Sequence, residues 1–330
     1  MTAMSPIFDP SAMDIDPEHE SSRLEALLRG DIKKRLRRRG AVVGISGGVD
    51  SSVVLALCVR ALGPERVLGV VMPERESSED SVRLASLVAE QFGVETMLED
   101  VTPPLEGFGT YARRNEAVSR VFPEFRADKD RVKITLPGSA LDRDTLNVFS
   151  LTIVDEHGNE ESVRPKPDDL NQIIAASNFK QRTRMALLYY HAELRQYAVV
   201  GTPNKDEHDQ GFFVKWGDGG YDIGPIRHLF KTQVYQLAEY LEVPDEIRAA
   251  TPTSDTYSAA SSQEEFFFRM PFDVMDRLWF ALESGVAAAD AGAALGLDVE
   301  SVERAYANLT QKVAATRYLR TTPIEYGDAE

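Results

Sequence analysis

Ala41-Val42-Val43-Gly44-Ile45-Ser46-Gly47-Gly48-Val49-Asp50-Ser51-Ser52 decides the fold. Ala41–Ile45 is a short apolar run of strand length. Ser46–Ser52 is a glycine- and serine-rich turn, and Val53–Leu62 reads as a helix stopped by Gly63, a natural C′ residue. A buried strand, a tight turn and a helix in succession are half of a βαβ unit. Downstream, Val67–Met72 reads as the next strand. Ser77 and Asp80 then begin a helix in capping-box fashion, and Val82, Ala85, Val88 and Phe92 give it a buried stripe up to Gly93. Strand–helix alternation with short links predicts an α/β fold with a doubly wound parallel sheet.

Working outward from this core, residues 1–21 are polar and aperiodic and read as a mobile or loosely docked lead-in. A helix is expected from Ser22 to Arg39, ending in the Arg37-Arg38-Arg39 run, whose charge suits a helix C-terminus. Residues 101–177 break the α/β rhythm. Helical patterning is weak over Tyr111–Val121. A β-like run, Val148–Val154, meets a turn at Asp155–Asn159, so a hairpin-containing excursion is expected. The rhythm resumes at Asn178 with a helix to about Arg195, a strand over Tyr197–Val200 and a Gly/Asp-rich loop from Gly201 to Gly224. Helices are expected over 231–241, 272–282 and 299–320. The C-terminal part is thus helical, and 321–330 form a tail. A single domain over 22–320 is the expected organisation.

Bulk composition narrows the function. With 37 Lys+Arg against 53 Asp+Glu, the net charge of −16 argues against a general nucleic-acid binder, which needs a cationic contact face. No apolar stretch spans a bilayer, and no signal-peptide pattern opens the chain, so no membrane association is expected. The single cysteine, Cys58, permits no internal disulfide and points to a cytoplasmic location. Its place on an apolar helix face suggests a core position. His208 and His228 lack the spacing of a metal pair and read as ordinary loop residues.

The Ser46–Ser52 turn carries the chemistry. Gly47 and Gly48 let backbone N–H groups approach a ligand closely, Ser46, Ser51 and Ser52 add hydroxyl donors, and the N-terminus of the helix that follows adds positive partial charge. Together they form an anion cradle suited to pyrophosphate. It has neither the Gly-Lys-Ser/Thr ending of a Walker loop nor a GxGxxG pattern. Asp50 beside phosphates is repulsive unless a metal bridges them, which calls for Mg²⁺. Lys215, Asp218 and Asp222 fall within eight positions of a second glycine-rich loop flanked by Phe212, Phe213 and Trp216. Asp-Gly is common turn chemistry, but beside a phosphate cradle a ligand role is favoured.

Ser46–Ser52 resembles the pyrophosphate loop of the N-type ATP pyrophosphatases. Further segments resemble the NAD synthetase family in particular: Met72-Pro73 followed by Ser77-Ser78, Asn178–Met185, Gly201–Glu207, Phe212–Asp222, Lys231–Val234 and Pro252–Asp255. The resemblance covers roughly 25–100 and 178–320. It implies a Rossmann-like fold of the ATP pyrophosphatase type. It also implies ATP-dependent, AMP-forming amide synthesis from deamido-NAD and ammonia, with Mg²⁺ and in a homodimer. Another carboxylate handled by the same chemistry is the alternative, and a nucleotide-binding pseudoenzyme is a third reading.

Carried over residue by residue, the resemblance implies ATP contacts from Gly44, Ser46, Gly47, Gly48, Val49, Asp50, Ser51 and Ser52, and from Met72, Arg184, Thr202, Lys231 and Thr253. Asp50 and Glu207 would hold the metal. Lys231, Asp218 and Thr253 would be catalytic, and Asn178, Arg182, Lys215, Asp218 and Asp222 would hold the acceptor. No glutaminase nucleophile is visible, so free ammonia or a separate glutaminase is expected to supply nitrogen. Three departures touch the acceptor side. Arg317 and Arg320 stand where the family usually has a basic cluster with lysine. Phe266-Phe267-Phe268 follows the Pro252 motif, as core packing or a reshaped acceptor pocket. The 101–177 excursion is longer than a minimal member needs.

Overall fold

In the computed structural model, residues 8–136, 138–139, 141, 149–253, 257–259 and 262–326 are described. The expected start of the second β run at Val148, the Ser254-Asp255 end of one motif, Ser261, and the outermost parts of the lead-in and tail lie outside the described residues.

Strands β1 (Ala41–Gly44), β2 (Val67–Val71), β3 (Glu95–Leu98) and, much later, β7 (Ala198–Val200) form one sheet in the order β3-β2-β1-β7. Every pairing is parallel; Val42 lies opposite Leu68 on one side and Val199 on the other. β1, β2 and β7 are apolar on both faces because helices cover both, whereas the edge strand β3 is largely exposed. Val42, Leu68, Val70 and Val199 pack against Met185, Leu188 and Ala192 of a long helix, α6 (Pro167–Arg195). On the other face, Val43 and Val71 meet α1 (Pro17–Gly30), α2 (Val49–Leu62), α3 (Glu79–Phe92) and α8 (Lys231–Tyr240). The doubly wound α/β sheet is therefore observed. Cys58 is fully buried on α2, and that burial pushes its thiol up to about 12.

Several boundaries differ from expectation for local physical reasons. The first helix starts five residues early, at Pro17, because Asp16 caps it by accepting from the His19 N–H at 3.0 Å. The lead-in before it contributes Phe8 and Met13, both buried, to the C-terminal core. Helix α2 begins at Val49 rather than Val53, directly from the glycine turn. Ser78, not Ser77, caps α3.

The excursion is shorter than expected because α6 begins at Pro167, 29 residues long. Before it come α4 (Thr102–Gly107), α5 (Thr110–Val121) and an antiparallel sheet of β4 (Arg131–Thr135), β5 (Ser150–Val154) and β6 (Glu160–Val163). The expected hairpin turn is present: Asp155 accepts from the N–H groups of His157 and Asn159, both at 2.8 Å. A small core of Val118, Val132, Ile134, Leu151 and Ile173 fastens this sheet to α6.

After β7 come α7 (Lys205–Gln210), α8 and α9 (Asp245–Ala249). Then α10 (Phe272–Glu283), α11 (Ala288–Leu295) and α12 (Val299–Ala315) build a helical C-terminal core around Met275, Leu278 and Trp279. Among the described residues, no helix is long and apolar enough to cross a membrane.

Candidate active site

From β1 the chain moves outward to β2 and β3 in one direction, and returns through β7 on the other side. The β1/β7 boundary is therefore the topological switch point, and ligands of such sheets bind outside the strand C-termini there. A cavity of about 880 Å³ lies at that place. Gly44–Ser51, Met72, Ser78, Asn178, Arg184, Thr202, Glu207, Asp218, Lys231 and Thr253 all line it.

The turn after β1 is held in shape internally. The Ser51 and Ser52 hydroxyls both donate to the Gly48 carbonyl, at 3.0 and 2.8 Å, and Ser51 Oγ accepts from the Ser46 N–H. Gly48 caps α2 without a side-chain hydrogen bond, which leaves first-turn N–H groups for an anion. Gly47 has φ +80°, and a Cβ there would lie 2.8 Å from the Ser81 carbonyl oxygen. Ser46 stays exposed. Ser52, expected as a phosphate donor, is instead fully buried, and its hydroxyl shapes the turn.

Asp50 faces α8. The Lys231 ammonium donates to its Oδ2 in a close ion pair, and Asn204 Nδ2 donates to its Oδ1 at 2.9 Å. Lys231 is 1% exposed; burial opposes its charge, but Asp50 and Glu207 outweigh this and hold the ammonium above its ordinary range. Asn204 also caps α7 in a reciprocal box with Glu207, which brings the Glu207 carboxyl to the cavity. Burial, then the neighbouring Asp50, pushes Glu207 up to about 8. Gln263 donates to Glu207 Oε1 at 3.4 Å.

On the other side of the cavity, Asp218 Oδ1 accepts from the Val214 N–H at 2.8 Å, and burial pushes its carboxyl up to about 6. Phe212, Phe213, Phe266 and Phe267 form the adjacent aromatic wall. Phe268, by contrast, is fully buried core, so the Phe triplet divides between packing and cavity lining.

Three expected acceptor residues do not line this cavity. Asp222 Oδ2 accepts from the Val199 N–H at 2.9 Å and its Oδ1 from the Tyr189 hydroxyl at 3.0 Å, so it ties the second loop to β7. Lys215 donates to the Tyr318 and Thr321 carbonyls, and Arg182 to the Lys215 carbonyl at 3.3 Å. Nor do Arg317 and Arg320 line it, although Thr316 and Leu319 do. Arg320 donates to the His208 carbonyl at 3.2 Å. His208 stacks on Phe213, and exposed His228 meets Glu20.

Sequence reasoning missed the residues beneath these groups. Asp206 Oδ2 accepts from the Lys231 N–H at 2.8 Å, and Asp276 Oδ2 from the Thr232 N–H and hydroxyl. These fully buried carboxylates fix the first turn of α8, and so aim Lys231. Asn204-x-x-Glu207 was the one legible signal, because that spacing is a capping box.

A parallel sheet with a phosphate-type cradle after β1 and a buried lysine facing it defines an ATP-pyrophosphatase-type synthetase. The NAD synthase family model matches residues 20–133 and 147–323, and the chain belongs to that family. The match runs through most of the 101–177 excursion and leaves out only residues 134–146 between its two parts. The chain is 47% identical to an NH₃-dependent NAD⁺ synthetase of Mesorhizobium japonicum, over 94% of this chain and 97% of the relative. It is 45% identical to one of Rhizobium meliloti, over 96% and 94%. The solved NH₃-dependent NAD synthetase of Campylobacter jejuni superposes with a TM-score of 0.60 at 20% identity, over 94% of this chain and 99% of that one. An NMN synthetase from Francisella tularensis gives 0.60 at 21%, over 95% and 100%. At those identities the structures speak to the fold.

Proposed function

We propose that this protein makes NAD from deamido-NAD and ammonia, cleaving ATP to AMP and pyrophosphate through an acyl adenylate. The observation that carries the reading is one cavity that joins the Ser46–Ser51 cradle and Lys231 to the Asp218 loop. The names of the relatives, NH₃-dependent NAD⁺ synthetase, support NAD as the product and ammonia as the nitrogen source.

A carboxylate is a poor electrophile, so its oxygen first attacks the α-phosphorus, and the bond to the β-phosphate oxygen breaks. Positioning and charge stabilisation dominate such a step. The first-turn N–H groups of α2 and the Lys231 ammonium take up the charge developing on pyrophosphate. Ammonia then adds to the acyl carbon, AMP departs with the acyl oxygen, and the surplus proton passes to Asp218. Thr202, Thr253, Arg184 and Met72 contact the nucleotide, and Asn178 the acceptor.

Asp50 and Glu207 fit Mg²⁺. They are hard oxygen donors; burial first, and then the neighbouring Asp50, raises the Glu207 carboxyl, and a cation between them would offset both. Two carboxylates with phosphate oxygens completing the shell are a usual Mg²⁺ arrangement. When bound, Mg²⁺ would neutralise the polyphosphate.

A homodimer is part of the proposal: Tyr190 and Leu194, one turn apart on α6, are both exposed. Light scattering of an active preparation checks it, and a monomer at working concentration overturns it. A cytoplasmic setting is proposed with it, supported by the lone cysteine, Cys58, being a free buried thiol.

The test of function is pyrophosphate release with ATP and ammonium across a panel of carboxylates. Release with deamido-NAD alone supports the reading. Release only with another acceptor replaces the substrate, and no release with any acceptor leaves a nucleotide-binding pseudoenzyme.

A further inference from the structure

Lys180 lies within the Asn178–Met185 motif but has no role in the chemistry above. It is 1% exposed, and its Nζ donates to Glu74 Oε1 and Glu76 Oε2, both at 2.8 Å. Glu74 also accepts from the Tyr111 hydroxyl at 2.6 Å. Arg114, 4% exposed, grips Glu76 through two nitrogens at 2.6 and 2.8 Å. Burial alone would raise the Glu76 carboxyl, but Arg114 and Lys180 hold it down at about 2. Two cations thus meet two anions below the surface, from three places: the β2–α3 connection, α5 and α6.

Stability is a weak account of such a cluster, since well-packed apolar residues often hold a fold as well as buried ion pairs do. What the cluster does is fix the path of the β2–α3 connection. Arg184 adds a bond from Nε to the Met72 carbonyl at 3.0 Å, and Ser77 closes a turn with Glu74. Met72, Pro73, Ser77 and Ser78 of this connection line the cavity. In the order β3-β2-β1-β7, the phosphate cradle after β1 stands between the connection after β2 and the loops after β7. With the acceptor loop on the β7 side, the β2 side is left for the nucleoside of ATP, beside the apolar Met72, Val82 and Leu84.

We propose that the Lys180–Glu74–Glu76–Arg114 cluster is a positioning device that sets the nucleoside wall of the ATP site. The proposal rests on the ATP-dependent reading above. It also gives α5, in the excursion, a part in catalysis at a distance: Tyr111 and Arg114 are its contribution.

The experiment is steady-state kinetics of the full-length protein, following pyrophosphate release. Lys180→Met strands a buried carboxylate and can fail to fold. The double variant Lys180→Met/Glu74→Gln removes one charge of each sign and leaves the Glu76–Arg114 pair. For a double variant with wild-type circular dichroism, the expected result is an ATP KM raised about tenfold, with kcat at saturating ATP and the acceptor KM within about twofold. An unchanged ATP KM overturns the proposal, as does a parallel loss in both substrates. A double variant that does not fold also overturns it, because the cluster then holds the core and not the wall. Wild-type protein in the same assay separates the two ideas: no ATP-dependent turnover there defeats the reading of function, whereas normal wild-type turnover with an unmoved variant KM defeats this inference alone.

Discussion

Lys231 and Asp50, 181 residues apart in the chain, are joined in a close ion pair between the first turns of α8 and α2. On the proposed mechanism each side chain has a structural and a chemical duty. Loss of one charged transition-state stabiliser typically slows turnover by ~10²–10³. Lys231→Ala is expected to fall by at least about that much in kcat. Asp50→Asn leaves Lys231 buried without its nearest anion, so it should lose turnover and also about 3 kcal/mol of stability. Denaturant titration beside the activity assay checks both; near-normal turnover in Asp50→Asn removes Asp50 from the site.

Gly47→Ala puts a methyl group where Ser81 and Leu84 already stand, at a backbone angle that disfavours side chains. About 1–3 kcal/mol of strain is expected. Because the turn is the easiest part to give way, ATP affinity should fall more than global stability. Calorimetric titration with ATP, set against a melting curve, measures the two; a turn that binds ATP normally would mean its backbone is not the cradle.

Asp218 must be ionised to accept a proton, and its carboxyl sits near 6. At fixed free ammonia, kcat/KM should therefore decline as pH falls through about 6. Asp218→Asn should erase that acid limb and leave a low, flat profile. An unaltered limb in the variant assigns it to another group.

Lys312 on α12 is 4% exposed and donates to the Phe267 and Phe268 carbonyls. Burial, with Arg269 nearby, lowers its amine from 10.5 to about 7. Between those values the unfolded chain binds the extra proton and the folded one does not, so this group makes stability rise with pH. Lys312→Met should lack that slope. Wild type is expected to gain on the variant from about pH 7 to about 10, read by urea midpoints. Parallel stability curves would show that the amine keeps its ordinary proton when folded.

The fold was legible where local pattern and tertiary role agree. Val42 to Val70 read as two buried strands, and Gly63 and Gly93 marked helix ends, because each residue's local preference matches its place. The turn from Ser46 into α2 was legible for the same reason. Asp222 and Lys215 were not: glycine-rich spacing says that charges lie close together, but not that Asp222 would spend both oxygens on β7 and Tyr189. Asp206 and Asp276 were invisible because an isolated aspartate in a helix reads as surface. Only tertiary packing puts the two of them under α8. α6 starts at Pro167 and not at Asn178 as expected; proline at the first helical position is favourable, a signal the sequence reading did not use.

The span of α6 has a mechanical consequence. At about 1.5 Å per residue, its 29 residues make a beam of roughly 43 Å. One end, through Ile173, belongs to the small antiparallel sheet, and the other, through Met185, Leu188 and Ala192, to the main one. The helix has no break at which one sheet could melt while the other survives. Heating should produce a single calorimetric transition over both, with the β4–β6 ribbon lost no earlier than the nucleotide cleft.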